Sequence, residues 1–119
     1  MKRFDVVFLT EAREFLLGLD EKSRDKIIFN IDKAKIRTDS DLLKKLRGEI
    51  WEFRTLFNKT HFRIFTFWDE TDYQETLVIA SHGHIKKTGK APEKEIEKAK
   101  QIRLKYFELR SRNNNGNKK

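Results

Sequence analysis

Apolar and polar residues change their period along this chain, and each change marks an element. Phe4, Val6 and Phe8 alternate with Asp5 and Val7, the period-two pattern of a short first strand. From Thr10 the spacing turns helical. Ala12, Phe15, Leu16 and Leu19 fall on one stripe, Thr10 serves as N-cap with Glu11 and Glu14 in or near the first turn, and Gly18 ends the helix. Asp20 caps a second helix, in which Ile27, Ile28, Ile31 and Ala34 form an apolar stripe while Arg24, Lys26, Lys33 and Lys35 stay solvated. Two helices follow one strand with no strand between them, which predicts a helical hairpin packed on a sheet.

Thr38-Asp39-Ser40-Asp41 reads as a turn or a fresh N-cap leading into Leu42-Leu43-Lys44-Lys45-Leu46, and then Arg47-Gly48. From Glu49 the period returns to two. Trp51, Phe53 and Phe57 share one face against Glu52, Arg54 and Leu56 on the other, and Asn58-Lys59 makes a tight turn. Phe62, Ile64, Thr66 and Trp68 then alternate with His61, Arg63, Phe65 and Phe67. A second turn, Asp69 to Tyr73, leads to a strand that starts at Glu75, runs through the apolar Leu77-Val78-Ile79 and breaks at His82-Gly83. Three consecutive antiparallel strands make a meander. Pro92 suits a first helical turn, and Ile96, Ala99, Ile102 and Tyr106 form the inner stripe of a helix from about 93 to 109. The pattern predicts an α+β domain over residues 1–110, with a four-stranded sheet, followed by a disordered basic tail over 111–119.

Composition narrows the class. At 119 residues the chain is long enough for one core of modest size. No apolar run approaches a membrane span, and the N-terminus continues into a strand pattern with no signal-peptide core, so a cytoplasmic protein is expected. The absence of cysteine excludes disulfides, thiol catalysis and cysteine-ligated zinc. The net charge of +8 is uneven: residues 1–85 hold fifteen basic against fifteen acidic side chains, and residues 86–119 hold twelve against four. A basic face of this kind meets nucleic acid or an acidic protein.

The chemistry concentrates where the last strand ends. His82, His84, Lys86 and Lys87 bring proton-transfer groups and positive charge to one edge of the sheet, a pairing suited to phosphate. Arg54 lies four residues before Asn58 and Arg63 four after Lys59, so one hairpin can set them face to face across the Asn58-Lys59 turn. Salt bridges to Glu52 or Glu49 are the structural alternative for both arginines. Lys86 and Lys87 are adjacent, so an extended backbone points only one of them inward, with Lys87 the expected one. His82-x-His84 as a metal pair lacks partners, since His61 is the only other histidine; no metal and no cofactor are expected.

The order strand, two helices, meander, C-terminal helix resembles the RelE/ParE toxin superfamily. Within it, Leu46-Arg47-Gly48-Glu49-Ile50-Trp51-Glu52-Phe53-Arg54, Phe62-Arg63-Ile64, His82-Gly83-His84-Ile85-Lys86-Lys87-Thr88 and Ala91-Pro92-Glu93-Lys94-Glu95-Ile96-Glu97-Lys98-Ala99 resemble the phage-derived HigB-like branch, over roughly residues 3–105. That family commonly has an aromatic residue, usually Phe, where this chain has His84. The resemblance implies the toxin of a type II toxin–antitoxin pair, a ribosome-dependent endoribonuclease that cuts messenger RNA by metal-independent attack of the 2′-hydroxyl. It also implies a helix-turn-helix antitoxin as partner. By the same likeness Arg54, Arg63, His82 and Lys87 are the catalytic candidates, and Lys44, Lys45, Arg47, His84 and Lys86 the RNA-binding ones. Two other readings share the fold: a ParE-like gyrase inhibitor and an inactive toxin-like binding protein.

Overall fold

The computed structural model describes residues 2–72, 76–87 and 92–116, with side chains described through 112. Five strands, β1 (Asp5–Phe8), β2 (Leu43–Lys45), β3 (Trp51–Phe57), β4 (Thr60–Asp69) and β5 (Leu77–Lys86), form one sheet in the order β1-β5-β4-β3-β2. β1 runs parallel to β5 and every other neighbour is antiparallel. Helices α1 (Thr10–Leu17), α2 (Glu21–Ile36) and α3 (Glu93–Gly116) complete a mixed α+β fold. Among the described residues no helix is long and apolar enough to cross a membrane.

Two apolar cores lie on opposite faces of the sheet. Phe53, Phe62, Ile64, Val78 and Ala80 pack with Ala12 and Leu16 of α1 and with Ile27, Ile31 and Ala34 of α2. On the other face Phe65, Phe67 and Ile79 pack with Ile50 and with Ile96 and Ala99 of α3. The alternation along β3 and β4 thus assigns each residue to the core its period predicts. α3 is held at a second point, where Tyr106 Oη donates to the buried Asp69 at 2.6 Å. Burial opposes the Asp69 charge, yet bonds from Tyr106 and Thr71, with Arg110 nearby, hold this carboxyl below its ordinary value. Burial and the same carboxylate push the Tyr106 phenol up to about 12.

Four expectations need correction. The sheet has five strands, because Leu42–Leu46 does not become helical: Leu43 to Lys45 pairs with Phe53 to Trp51 as β2. Leu42 and Leu46 share a helical spacing, but Gly48 and Glu49 both take positive φ (58° and 67°), with Ile50 N–H donating to Arg47 at 3.0 Å. That is the primed two-residue turn of a hairpin, and it folds the segment back onto β3. Next, β5 does not break at His82-Gly83 but continues to Lys86, since β4 pairs with it as far as His61. The N-cap of α1 is Leu9, with Thr10 the first helical residue. Finally, α3 runs on to Gly116, where a disordered tail was expected from 111. Extending an existing helix costs little, and the Glu108–Arg112 pair at 3.0 Å supports its last turns. Tyr73 to Glu75, Thr88 to Ala91 and 117–119 lie outside the described residues.

Gly83 shows how closely α1 meets β5. A Cβ there would lie 2.1 Å from Phe15 Cδ2, so contact between ring and backbone depends on the missing side chain. Gly83→Ala is expected to lower stability by about 1–3 kcal/mol in urea unfolding, through overpacking. The same substitution in a Phe15→Leu background should cost less, because the clashing ring is gone.

Candidate nucleic-acid and catalytic site

The Asn58-Lys59 turn, with both residues at positive φ (51° and 62°), fixes the β3–β4 register. It sets Arg54 opposite Arg63, and β5 then sets His84 opposite Arg63. Two arginines and a histidine therefore form one row across three strands. A second row runs Lys44, Glu52, Phe65, His82, and His61 faces Lys86 at the end of β5. All these side chains share the face that α3 covers farther along. They do so because of a one-residue bulge: Phe65 pairs with His82 but Thr66 pairs with Ala80, which leaves Ser81 extra. Before the bulge the even-numbered positions of β5 face α1 and α2; after it, His82, His84 and Lys86 face the arginines.

Glu52 is the central counter-charge. It is 2% exposed, with one oxygen 3.5 Å from Arg54 Nε and the other 3.5 Å from Arg63 Nε. Those contacts satisfy charge but not hydrogen bonding, and Glu52 Oε1, Arg54 Nε and Arg63 Nε lack hydrogen-bond partners among the described residues. Burial holds the Arg63 guanidinium below its usual value, Glu52 works against that, and Arg54 adds to it. Lys86 is lowered first by partial burial and then by Arg63, Arg54 and Lys44, with Glu52 opposing. One carboxylate thus faces four cations at this end of the sheet.

The imidazoles sit beside this cluster. His82 is buried, its ring stacked on Phe65 at a centroid distance of 5.1 Å and an interplanar angle of 22°. Ser81 Oγ lies 2.9 Å from Nδ1, and Nε2 lies 3.0 Å from Glu95 Oε1 of α3. Burial lowers the His82 pKa, with Glu95 opposing, so the neutral ring predominates at pH 7. A neutral ring donates from Nε2 to the carboxylate and accepts the serine O–H at Nδ1. The second oxygen of Glu95 is 3.8 Å from Nδ1 of His84, whose side chain is 27% exposed. His84 opens on a cleft of about 630 Å³ lined by Glu11, Glu14, Phe15, His82, Gly83, Glu95 and Lys98. Lys98 is paired there with Glu11 at 2.7 Å, a contact that holds this carboxyl below its ordinary value. Among the described residues no group of three or more carboxylate and imidazole side chains is placed to hold a metal ion.

A family model described as phage derived protein Gp49-like (DUF891) matches residues 14–105. The chain belongs to the Gp49-like family. That family is toxin-like, lies within the RelE/ParE-like toxin superfamily and is related to RelE-type endoribonucleases. No curated protein matches the chain.

In this Gp49-like protein the candidates divide sharply. Arg54, Arg63, His82, His84, Lys86 and Lys44 come together on one face. Lys87 is exposed one residue beyond the end of β5, so the lysine that period two turns inward is Lys86. Lys45 pairs with Trp51 and points to the opposite face, and Arg47 is ion-paired with Glu93 at the start of α3. Sequence reasoning missed Glu95. A signal was present: Glu95 stands four residues before Ala99 and seven before Ile102, which puts it on the inner stripe of α3.

Two measurements test this electrostatic arrangement. Glu52→Gln leaves two arginines without their buried carboxylate and is expected to cost about 3–5 kcal/mol. Glu93→Gln, which breaks the exposed pair with Arg47, should cost less than about 1 kcal/mol. The second concerns pH. With its folded pKa below 6.5, His82 contributes stability that is present above pH 6.5 and is lost as pH falls through that value toward the folded pKa, because the unfolded chain protonates first. Urea unfolding at pH 7.5 and 5.5 should show a larger acid loss for the natural protein than for His82→Gln.

Proposed function

We propose that this protein is the toxin of a type II toxin–antitoxin pair, of the HigB-like branch, and that it cleaves messenger RNA on the ribosome. The observation that carries this reading is the row Arg54, Arg63, His84, with Lys44 and Lys86 beside it and Glu52 as the carboxylate that both arginines share. An under-neutralised set of guanidinium and ammonium groups, with N–H donors left over, suits a phosphodiester better than a protein surface. A half-buried imidazole in the same row, open to the cleft, adds proton transfer. Membership of a family related to RelE-type endoribonucleases supports the same reading.

In the proposed reaction the 2′-oxygen attacks the adjacent phosphorus, and His84 takes the hydroxyl proton as the O–P bond forms. The phosphorane gathers negative charge beside Arg54, with Arg63 supporting it from beneath. The bond from phosphorus to the 5′-oxygen breaks, and Lys86, made a better acid than an ordinary lysine first by partial burial and then by the neighbouring cations, protonates the leaving oxygen. The products are a 2′,3′-cyclic phosphate and a 5′-hydroxyl. His82 is too buried to touch RNA and acts by holding Glu95. A helix-turn-helix antitoxin is the proposed partner, and the basic 86–119 segment the proposed contact to ribosomal or messenger RNA.

Induction from a tightly controlled promoter, followed by mapping of messenger RNA 5′ ends, tests the proposal. New ends inside translated frames are expected. Arg54→Ala and His84→Ala should each cut their yield by roughly 10²-fold or more while the protein stays folded. Growth arrest without new ends would overturn the nuclease reading in favour of a gyrase inhibitor, and no arrest would favour an inactive binding protein.

A further inference from the structure

Glu95 stands where two histidines meet, and its two oxygens are not equivalent. Oε1 is fixed by the buried His82 at 3.0 Å, itself locked by Ser81 and by the Phe65 ring. Oε2 is aimed at Nδ1 of His84, at 3.8 Å, within ion-pair reach and slightly long for a hydrogen bond. Contacts of that length in a resting site shorten when substrate arrives. The helix that bears Glu95 is anchored independently by Ile96 and Ala99 in the core and by Tyr106 on Asp69, so the carboxylate has little freedom.

We infer that Glu95 is a positioning residue for His84: it holds the imidazole as the Nδ1–H tautomer and leaves Nε2 free to accept a proton. The inference rests on the ribonuclease reading of this site. With His82 neutral, Ser81 O–H donates to His82 Nδ1 and His82 Nε2–H to Glu95 Oε1, which leaves Glu95 Oε2 as the acceptor toward which an Nδ1–H of His84 is directed at 3.8 Å. His84 Nε2 is then the one ring nitrogen of the pair without a protein acceptor or donor assigned to it. As Nε2 takes a proton, the carboxylate behind the ring stabilises the imidazolium that forms. The other charged groups around His84 are Lys98 of α3, Glu11 and Glu14 of α1, Arg63 of β4, and His82 and Lys86 of β5. Among the described residues Glu95 alone has a carboxylate oxygen within 4.0 Å of a ring nitrogen of His84.

The arrangement also accounts for an otherwise costly feature. A polar histidine with 3% exposure needs both nitrogens satisfied, and a serine forced out of register by the bulge and a glutamate at the edge of an apolar stripe supply both partners. The result is a rigid support behind a half-buried imidazole, with Glu95 three residues before Lys98, the partner of Glu11, on the lining of the cleft.

Glu95→Gln tests this without changing side-chain volume. The Gln oxygen can still accept from His82, while its amide N–H₂ donates to His84 Nδ1 and so inverts the tautomer. On full-length protein, ¹⁵N-NMR of the imidazoles should show the neutral His84 ring as Nδ1–H in the natural sequence and as Nε2–H in Glu95→Gln. Single-turnover cleavage of ribosome-bound messenger RNA should fall about 10²-fold or more in this variant, with the RNA concentration for half-maximal rate little changed. Glu95→Asp, which keeps the acceptor but shortens the arm, should retain more activity than Glu95→Gln; a merely structural role predicts the opposite order. Unchanged His84 tautomer, or Gln outperforming Asp, in a chain whose natural form cleaves RNA overturns the inference alone. Failure of the natural protein to cleave overturns the ribonuclease reading and the inference with it.

Discussion

One extra residue in β5 sets everything else on the functional face. Up to Ala80 the strand must serve two cores, with Val78 and Ala80 against α1 and α2, and Ile79 against α3. Strict alternation would carry His82, His84 and Lys86 onto the α1 side, where Phe15 already presses on Gly83 with no space to spare. The bulge at Ser81 reverses that parity after the apolar stretch is finished. A slip of one residue flips every following side chain to the other face, which is usually a register error. Here the same slip brings a histidine row to two arginines while keeping both cores intact.

On the proposed reading the same face has to be stable and reactive, and the two demands meet in α3. Its middle is an ordinary apolar stripe, but its ends carry polar fixings: Glu95 to His82 near the start, Tyr106 and Arg110 to Asp69 farther on. Each of the acids Asp69, Glu52 and Glu95 has a partner that itself belongs to a strand or to α3. Loosening the helix would therefore remove the support of the imidazoles before it opened the core. Helix packing and proton chemistry are linked through a few side chains, with no need for a separate domain.

Much of this was legible in the residues. The period changes placed β1, α1, α2, β3, β4, β5 and α3, and the Asn58-Lys59 turn paired Arg54 with Arg63 as read. β2 was not legible, because Leu42 and Leu46 are four apart and a leucine-lysine run satisfies either period. Only the positive φ at Gly48 and Glu49 decides it, and a non-glycine residue in the left-handed region leaves a weak trace in sequence. The choice between Lys86 and Lys87 failed for a related reason. It depends on the parity of β5, and the bulge that sets the parity has no marker beyond an ordinary serine. Glu95 was hidden differently, as one acid among several in an alternating charged helix.

The unequal charges around Glu52 give the arrangement its direction. A buried ion cluster with matched charges and complete hydrogen bonds has no tendency to take up another ion, and it contributes little beyond what an apolar core would. This cluster is neither matched nor complete: Arg54, Arg63, Lys44 and Lys86 share one carboxylate, and two of the arginine N–H groups lack acceptors. The repulsion among the cations is held in place by β-sheet pairing, which does not depend on charge. On the proposed reading, an arriving phosphate would relieve it and supply the missing acceptors at once. The developing charge of a phosphorane would be met more strongly still, because the donors are already oriented and need not reorganise.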